Sequence, residues 1–176
     1  MVKRCEPLGL KGPGSFVKAT EYLLILSCSK RKIRTSEKKP AIEVYDGPMY
    51  RAVRKHFKSL STLPVDICII SAKYGLIRAR NRIEHYDREM TPQRALEIQK
   101  TVVAIVKKIL QEKKYKEIFV NLGGVYRIAI DGIEMAIPDD TQLLFASGGI
   151  GDRTSQTIRW LKQASSRKSE KTIVEK

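Results

Sequence analysis

Cysteine and histidine are too scarce in this sequence for the common metal or disulfide frameworks. The 176 residues include three cysteines and two histidines. Cys5, Cys28 and Cys68 stand at unrelated spacings, so neither a metal-binding knuckle nor a set of disulfides can be written from them. No apolar run approaches the roughly 18 residues of a membrane span, and no apolar segment follows the charged N-terminus as in a secretory signal. We therefore expect a cytoplasmic protein with no metal, no cofactor and no membrane contact.

Acidic residues are also few compared with basic ones. Lys and Arg number 34 against 19 Asp and Glu, which gives a formal charge of +15. Such an excess favours polyanionic partners, meaning nucleic acid or phosphorylated ligands, although lysine-rich chains also occur in thermophiles for reasons of stability. The excess is clustered, since residues 30–39 (KRKIRTSEKK) carry six positive charges against Glu37. The residues expected to contact a nucleic-acid backbone are Lys30, Arg31, Lys32, Arg34, Arg51, Arg54 and Lys55.

Four short apolar runs, at 22–27, 65–71, 117–122 and 142–146, are typical of strands buried on both faces. Helical patterns lie between and after them, at 48–60, 91–113, 125–137 and 152–164. This alternation predicts a three-layer α/β domain over residues 21–164, with a mostly parallel central sheet of about four or five strands and helices on both faces. Residues 1–20 are expected to form a basic flexible arm, and residues 165–176 a basic, disordered tail.

Polar residues and glycines follow each predicted strand. Because the carboxyl ends of parallel strands meet at one edge of a sheet, these residues are expected to gather in one site for a phosphate-bearing, nucleotide-like ligand. Lysines at these positions can bind phosphate, and glycine turns can present backbone N–H groups to it. The alternative is that the glycines are there only because the turns need a positive φ. The expected ligand-binding residues are Ser27, Cys28, Ser29 and Lys30, then Ser71, Lys73, Tyr74 and Gly75, then Asn121, Gly123 and Gly124, and finally Gly148, Gly149 and Gly151.

The segment before the long helix adds an aromatic residue and carboxylates. Tyr86 is expected to stack on a base, and Asp87 or Glu89 to act as a general base or to accept hydrogen bonds from a base or sugar. Glu89 has the alternative of supporting the helix N-terminus. Cys28 follows a strand as a nucleophile would, but no histidine pattern supports that role, and free cysteine is commonly a small buried hydrophobe.

Four segments resemble, in order, a family of small uncharacterised prokaryotic proteins that pairs an S-C-S-x-x-K start with S-A-K-Y-G-L and Y-D segments. They are LILSCSKRK, AIEVYDGPMYRAVRKH, IISAKYGLIRARNRIEHYD and GGIGDRTSQTIRWL. A more distant likeness is to the YaaA peroxide-stress proteins. Its matches are Ser27, Lys30, Tyr74, Gly75, Arg78, Tyr86, Glu89 and Met90, and it departs at His85 and Asp87.

The S-C-S-x-K theme also resembles a domain of archaeosine synthase, which modifies a deazaguanine base in tRNA. These likenesses imply an α/β domain with a deep site and an affinity for nucleic acid, and the YaaA proteins imply a link to oxidative stress. They imply no settled reaction.

Three hypotheses of function follow. The first is a nucleic-acid-associated protein that acts on a base or nucleoside, as a hydrolase or transferase, with Tyr74 and Tyr86 as the aromatic wall that an unstacked base needs. The second is a non-catalytic DNA- or RNA-binding stress-response protein of the YaaA type. The third, an enzyme of small-molecule nucleotides, would not need the basic arm and tail. The oligomeric state stays open.

Overall fold

The computed structural model describes residues 20–57 and 65–174, with side chains as far as Arg167. In chain order the strands are β1 (Tyr22–Ser27), β2 (Lys39–Pro40), β3 (Asp66–Ser71), β4 (Gly75–Arg78), β5 (Arg82–Ile83), β6 (Glu117–Asn121) and β7 (Gln142–Phe145). The helices are α1 (Ala41–Val44), α2 (Pro48–His56), α3 (Pro92–Glu112), α4 (Gly124–Ile128) and α5 (Ile150–Val174), and a 3-10 turn spans Ile133–Ala136.

The central sheet has five strands in the order β4-β3-β1-β6-β7. Strands β3, β1, β6 and β7 run parallel, while β4 is antiparallel to β3. Strands β2 and β5 form a separate two-stranded antiparallel ribbon. The chain leaves β1 towards β3 on one side and later returns to β6 on the other. The order therefore reverses between β1 and β6, which is where ligands bind in open α/β sheets.

Alternation along β1 divides the core between the two faces of the sheet. Leu23 and Ile25 belong to the apolar cluster that contains the inward stripe of α3. Leu24 and Leu26 belong to the opposite cluster, which contains the buried residues of α2 and α5. All four side chains are at most 1% exposed. The fold is thus a three-layer α/β structure with a mostly parallel sheet, as the sequence predicted.

The start of α3 shows how local sequence determines an element. The Thr91 hydroxyl accepts a hydrogen bond from the Arg94 backbone N–H at 3.1 Å. Pro92 occupies the first helical position, where its missing N–H costs nothing. Across residues 20–57 and 65–174, no helix has both the length and the apolar character that a membrane crossing requires.

Several elements differ from the predicted ones. The helix expected over 125–137 is instead α4, which ends at Ile128, followed by the 3-10 turn, and Gly132 with φ +83° stands directly before that turn. The helix expected to reach residue 60 ends at His56. Short strands β2, β4 and β5 were not predicted, and the sharp turn into β4 uses Gly75 with φ +71°.

The last helix also differs, since it begins at Ile150 and continues to Val174. Much of the expected disordered tail is therefore helical. No glycine or proline follows Gly151, so nothing in this stretch breaks the helix. The hydroxyls of Ser165 and Ser166 donate to carbonyl oxygens one turn earlier. The predicted N-terminal arm, apart from Thr20, and residues 175–176 lie outside the described residues.

Candidate functional site

A cavity of about 330 Å³ opens at the point where the strand order reverses. Its walls come from the carboxyl ends of β1 and β6 and from the N-terminal ends of α2 and α5. The expected site residues that line it are Ser27, Cys28, Ser29, Lys30, Arg31, Arg51, Asn121 and Gly123. Those that the sequence did not single out include Asp46, Gly47, Met49, Tyr50, Tyr126, Ile150, Arg153 and Thr154. The strand-end loops of β1 and β6 thus meet as expected.

The cavity lining carries four cationic side chains, which are Lys30, Arg31, Arg51 and Arg153, against the single carboxylate of Asp46. Arg31 Nε lies 3.0 Å from Asp46 Oδ2. Among the described residues, no carboxylate forms an ion pair with Lys30, Arg51 or Arg153. The cavity therefore has an excess of positive charge that internal pairing does not cancel.

Arg153, in the first turns of α5, has an unusual environment. Its Nε atom is buried and, within the described part of the chain, has no hydrogen-bond partner. Leaving a buried charged donor unpaired costs about 1–3 kcal/mol or more, so native proteins rarely do it without a reason. The guanidinium group is also the side chain best shaped for phosphate and carboxylate oxygens.

Asp46 organises the rim of the cavity. Its Oδ1 accepts a hydrogen bond from Arg54 Nη2 at 2.6 Å, and its backbone N–H donates to Ser29 Oγ at 3.1 Å. Arg54 donates to two backbone carbonyls of the α1 region as well. The expected contact between Arg54 and a nucleic-acid backbone therefore conflicts with the structure, because this guanidinium group is engaged inside the protein.

Gly47, the residue before α2, lies where two backbone segments approach closely. A Cβ atom on Gly47 would stand 2.7 Å from the Cβ of Ser29. Real Cβ contacts are about 3.5–4.0 Å, so only glycine lets α2 begin against the loop after β1. The sequence feature that could have indicated this helix start is the Y-D-G-P stretch at 45–48, in which a glycine precedes a proline suited to the first helical position.

Cys28 and Tyr126 form one polar contact in the cavity wall. The Cys28 Sγ lies 3.0 Å from the Tyr126 hydroxyl. Burial first, and then the neighbouring Cys28 thiol, raise the pKa of Tyr126, and the charge of Glu89 adds to the effect. Tyr126 therefore keeps its proton near neutral pH. It also gives the cavity an aromatic wall, a role that the sequence assigned to other tyrosines.

Tyr86 and Ser71 belong to a buried cluster of hydroxyl groups. The Tyr86 hydroxyl bonds to the Tyr45 hydroxyl at 2.9 Å and to Ser71 Oγ at 2.8 Å. Tyr86 is 6% exposed, Lys32 Nζ lies 4.3 Å from its ring centre, and neither Tyr86 nor Ser71 lines the cavity. The expected stacking of Tyr86 on a base does not fit this position.

The other expected residues after β3 also lie outside the cavity. Lys73 Nζ lies 3.0 Å from Glu84 Oε1, and hydrogen bonding to that carboxylate raises the pKa of Lys73. Tyr74 packs edge-on against Tyr86, with ring centres 5.4 Å apart. Gly75 forms the turn into β4. Because β3 is on the far side of β1 from β6, its loop ends one strand away from the cavity.

The glycine-rich loop before α5 positions the helix and does not itself line the cavity. The Gly149 N–H donates to Asp152 Oδ2 at 3.0 Å, so the chain's own carboxylate occupies the place expected for phosphate. Gly148 has φ +84°. Gly151, and Gly124 at the start of α4, are likewise absent from the lining. The loop instead brings Ile150 and Arg153 to the cavity.

Asn121 links β6 to α5. Its Nδ2 donates to Thr157 Oγ1 at 2.9 Å and to the Arg153 carbonyl at 3.3 Å. This contact holds the first turns of α5 over the end of β6, which places Arg153 at the cavity. Asn121 therefore has a structural role in this arrangement, and its expected contact with a ligand stays a prediction.

The expected general bases, Asp87 and Glu89, are exposed and line no described cavity. Lys55 is exposed on the last turn of α2. Arg34 lines a second, more open depression together with Thr35, Ser36 and His85. The described residues contain no group of three or more His, Cys, Asp or Glu side chains placed to hold a metal ion.

The fold and the cavity define this protein as a parallel α/β domain with a basic cavity at the reversal of its strand order. The chain belongs to a family of unknown function, DUF6884, whose model matches residues 23–163. No curated protein matches it in sequence. A crystal structure titled AF0587, a protein of unknown function, is similar at 17% identity with a TM-score of 0.47, and the match covers 83% of this chain and 44% of that one. The expected membership of an uncharacterised domain family is thus confirmed.

Proposed function

We propose that this is a nucleic-acid-associated protein whose cavity holds one phosphate-bearing nucleotide unit. The observation that carries the proposal is the set of cations, Lys30, Arg51 and Arg153, left without ion pairs among the described residues around one cavity. The volume of about 330 Å³ is near the lower end of the roughly 300–1,000 Å³ of ligand cavities. That size suits a single nucleotide and no larger cofactor.

The geometry also favours a particular orientation of the ligand. The N-terminal ends of α2 and α5 face the cavity, and helix N-termini attract anions. The phosphate is therefore expected at Arg51 and Arg153, near both helix ends. Tyr126 and Met49, also in the lining, supply apolar and aromatic surface for the base. The raised pKa of Tyr126 keeps its hydroxyl available as a hydrogen-bond donor.

Binding without catalysis has better support than a reaction on the base. Asp46 is the only carboxylate in the lining of this cavity, and arginines hold both of its oxygens. That arrangement suits a structural role more than proton transfer. The likeness of the β1 and 74–90 segments to the YaaA proteins points the same way, towards a nucleic-acid-binding stress-response protein.

A hydrolase or transferase acting on a base or nucleoside is the second candidate. The observation that favours it is the thiol of Cys28 beside the hydroxyl of Tyr126, 3.0 Å apart in the wall of the cavity. Cys28 is the nucleophile that such an enzyme would use, with Tyr126 as its hydrogen-bond partner. Replacement of Cys28 with serine should abolish any such activity and leave nucleotide affinity nearly unchanged.

The proposal is tested by titrating 5′-nucleoside monophosphates and inorganic phosphate into the protein by calorimetry. Arg153→Met should weaken nucleotide affinity by about ten- to a hundredfold, because a hydrogen bond to a charged group contributes about 1.5–3 kcal/mol. Arg159→Met is the matched control, since Arg159 is an exposed arginine further along α5 and does not line the cavity. If no nucleotide binds at millimolar concentration, or if the two variants bind alike, the proposal is wrong.

A further inference from the structure

A second depression is formed in part by the segment that follows β1. It has a volume of about 480 Å³ and is lined by Arg34, Thr35, Ser36 and His85. Three of these residues belong to the segment after β1, and His85 follows β5. We call this depression the second groove. Its lining carries one guanidinium group, two hydroxyls and one imidazole, and no carboxylate.

One short segment connects the cavity to the second groove. Lys30 and Arg31 line the cavity, and Arg34 lines the groove three residues later. Three residues of extended backbone span at most about 10 Å, which is within the reach of a short oligonucleotide. Lys32 lies between them, with its amino group over the Tyr86 ring. The two sites are therefore close enough for one short strand to occupy both.

The guanidinium group of Arg34 supplies the positive charge in the lining of the second groove. Arg34 and His85 are exposed, and among the described residues neither forms an ion pair. The carboxylates nearest in sequence are Glu37 and Asp87, both exposed, and Glu84, which pairs with Lys73. The Arg82 guanidinium adds a further cation on β5, and it donates to the Lys38 carbonyl at 2.6 Å.

We propose that the second groove binds the phosphodiester backbone of the strand whose nucleotide occupies the cavity, so that the ligand is a nucleic-acid strand and not a free nucleotide. This inference rests on the proposed function. Arg34 contacts phosphate directly, and the hydroxyl of Ser36 adds a neutral donor beside it. The Thr35 hydroxyl donates instead to the Glu37 carbonyl oxygen at 2.8 Å. His85 is the aromatic side chain in the lining, and the contacts of Arg34 and Ser36 are made to phosphate, which carries no sequence information. Recognition at the groove is consequently independent of sequence.

The test compares ligands of different length on matched variants. The probes are 5′-nucleoside monophosphates and single-stranded hexanucleotides of mixed sequence, as DNA and as RNA. Arg34→Ala should weaken hexanucleotide binding by about five- to tenfold and reduce the slope of log affinity against log salt by about 0.7. Monophosphate affinity should stay within about twofold, because Arg34 is outside the cavity. His85→Ala should weaken hexanucleotide binding in the same direction.

Lys107→Ala is the control for general charge. Lys107 is exposed on α3, which covers the face of the sheet opposite to α2 and α5. It should leave the affinity for both probes and the salt slope nearly unchanged. An equal loss with Lys107→Ala and Arg34→Ala would mean that the groove is only part of a diffuse positive surface, and would overturn the inference.

Two other results would also overturn it, and each is distinct from failure of the proposed function. The first is monophosphate binding with no gain in affinity for the hexanucleotide. The second is displacement of the hexanucleotide by polyglutamate at equal charge concentration, which would favour an acidic protein as the partner. Absence of monophosphate binding would instead contradict the cavity proposal itself.

Discussion

Replacement of Gly47 with alanine tests whether the close approach between α2 and the loop after β1 is required. The new Cβ would lie 2.7 Å from the Cβ of Ser29, about 1 Å inside the optimal separation of carbon atoms. Rotation of the Ser29 side chain cannot relieve this contact, because a Cβ atom moves only with its backbone. The backbone of Ser29 is also restrained, since Ser29 Oγ accepts the hydrogen bond from the Asp46 N–H.

The cost follows from overpacking a site that cannot relax cheaply. Such changes destabilise proteins by about 1–3 kcal/mol. For a chain of this length, each kcal/mol lowers Tm by about 2–4 °C, so Gly47→Ala should lower Tm by about 2–12 °C. Because Ser29 and Gly47 both line the cavity, displacement of either backbone should also weaken nucleotide binding.

Thermal unfolding followed by circular dichroism measures the effect, and two variants make it specific. Gly124→Ala is the control, since a Cβ there meets no atom within 4 Å, and a compatible Gly→Ala change is expected to stabilise by about 0.4–1 kcal/mol. Ser29→Gly removes the opposing Cβ, so the double variant should be more stable than the two single effects added together predict. Wild-type stability in Gly47→Ala, or strict additivity in the double variant, would refute the reasoning.

Three further predictions concern the core. Burial opposes ionisation of Asp66, but hydrogen bonds from Lys113 and Tyr115 outweigh it and lower its pKa. The wild-type protein should therefore be more stable than Asp66→Asn by an amount that is complete above the unfolded pKa of about 3.9 and shrinks as the pH falls below it, as measurements of Tm against pH would show. Burial raises the pKa of Cys68 to about 12, so iodoacetamide at pH 8 should label it only after unfolding, and native labelling seen by mass spectrometry would contradict this. Tyr86→Phe leaves two buried hydroxyls short of a partner and should cost about 1–3 kcal/mol in denaturant unfolding.

The sheet was largely predictable because buried parallel strands are continuous apolar runs. Strands β1, β3, β6 and β7 all coincide with such runs. Strand β4 was missed because its four residues, GLIR, include a glycine and an arginine and lie at an edge of the sheet. The expectation that polar loops gather at the carboxyl edge depended only on strand direction. The loops after β1 and β6 do meet at the cavity, whereas the residues after β3 and the glycines before α5 do not line it.

The composition of the cavity was harder to predict, because eight of its eighteen lining residues come from helices. Asp46 reaches it from the link before α2, and Arg153 from α5, through the packing of these segments over the strand ends, which no local pattern encodes. Lys73 was expected in the same site because it follows a strand, but the strand order places its loop one strand away. Direction along a strand can be inferred from sequence, whereas the neighbour of each strand depends on long-range contacts.

The basic run at 30–39 shows why charge counted along a sequence must be corrected for internal pairing before it is assigned to a partner. Arg31 shares Asp46 with Arg54, and Lys32 rests on the Tyr86 ring, so both are partly committed to the fold. Lys30 faces the cavity and Arg34 faces the second groove. One run of charge therefore serves two surfaces, and this makes the binding proposals separable. A lost cation in the cavity must weaken every nucleotide ligand, whereas a lost cation in the groove must weaken only ligands long enough to reach it.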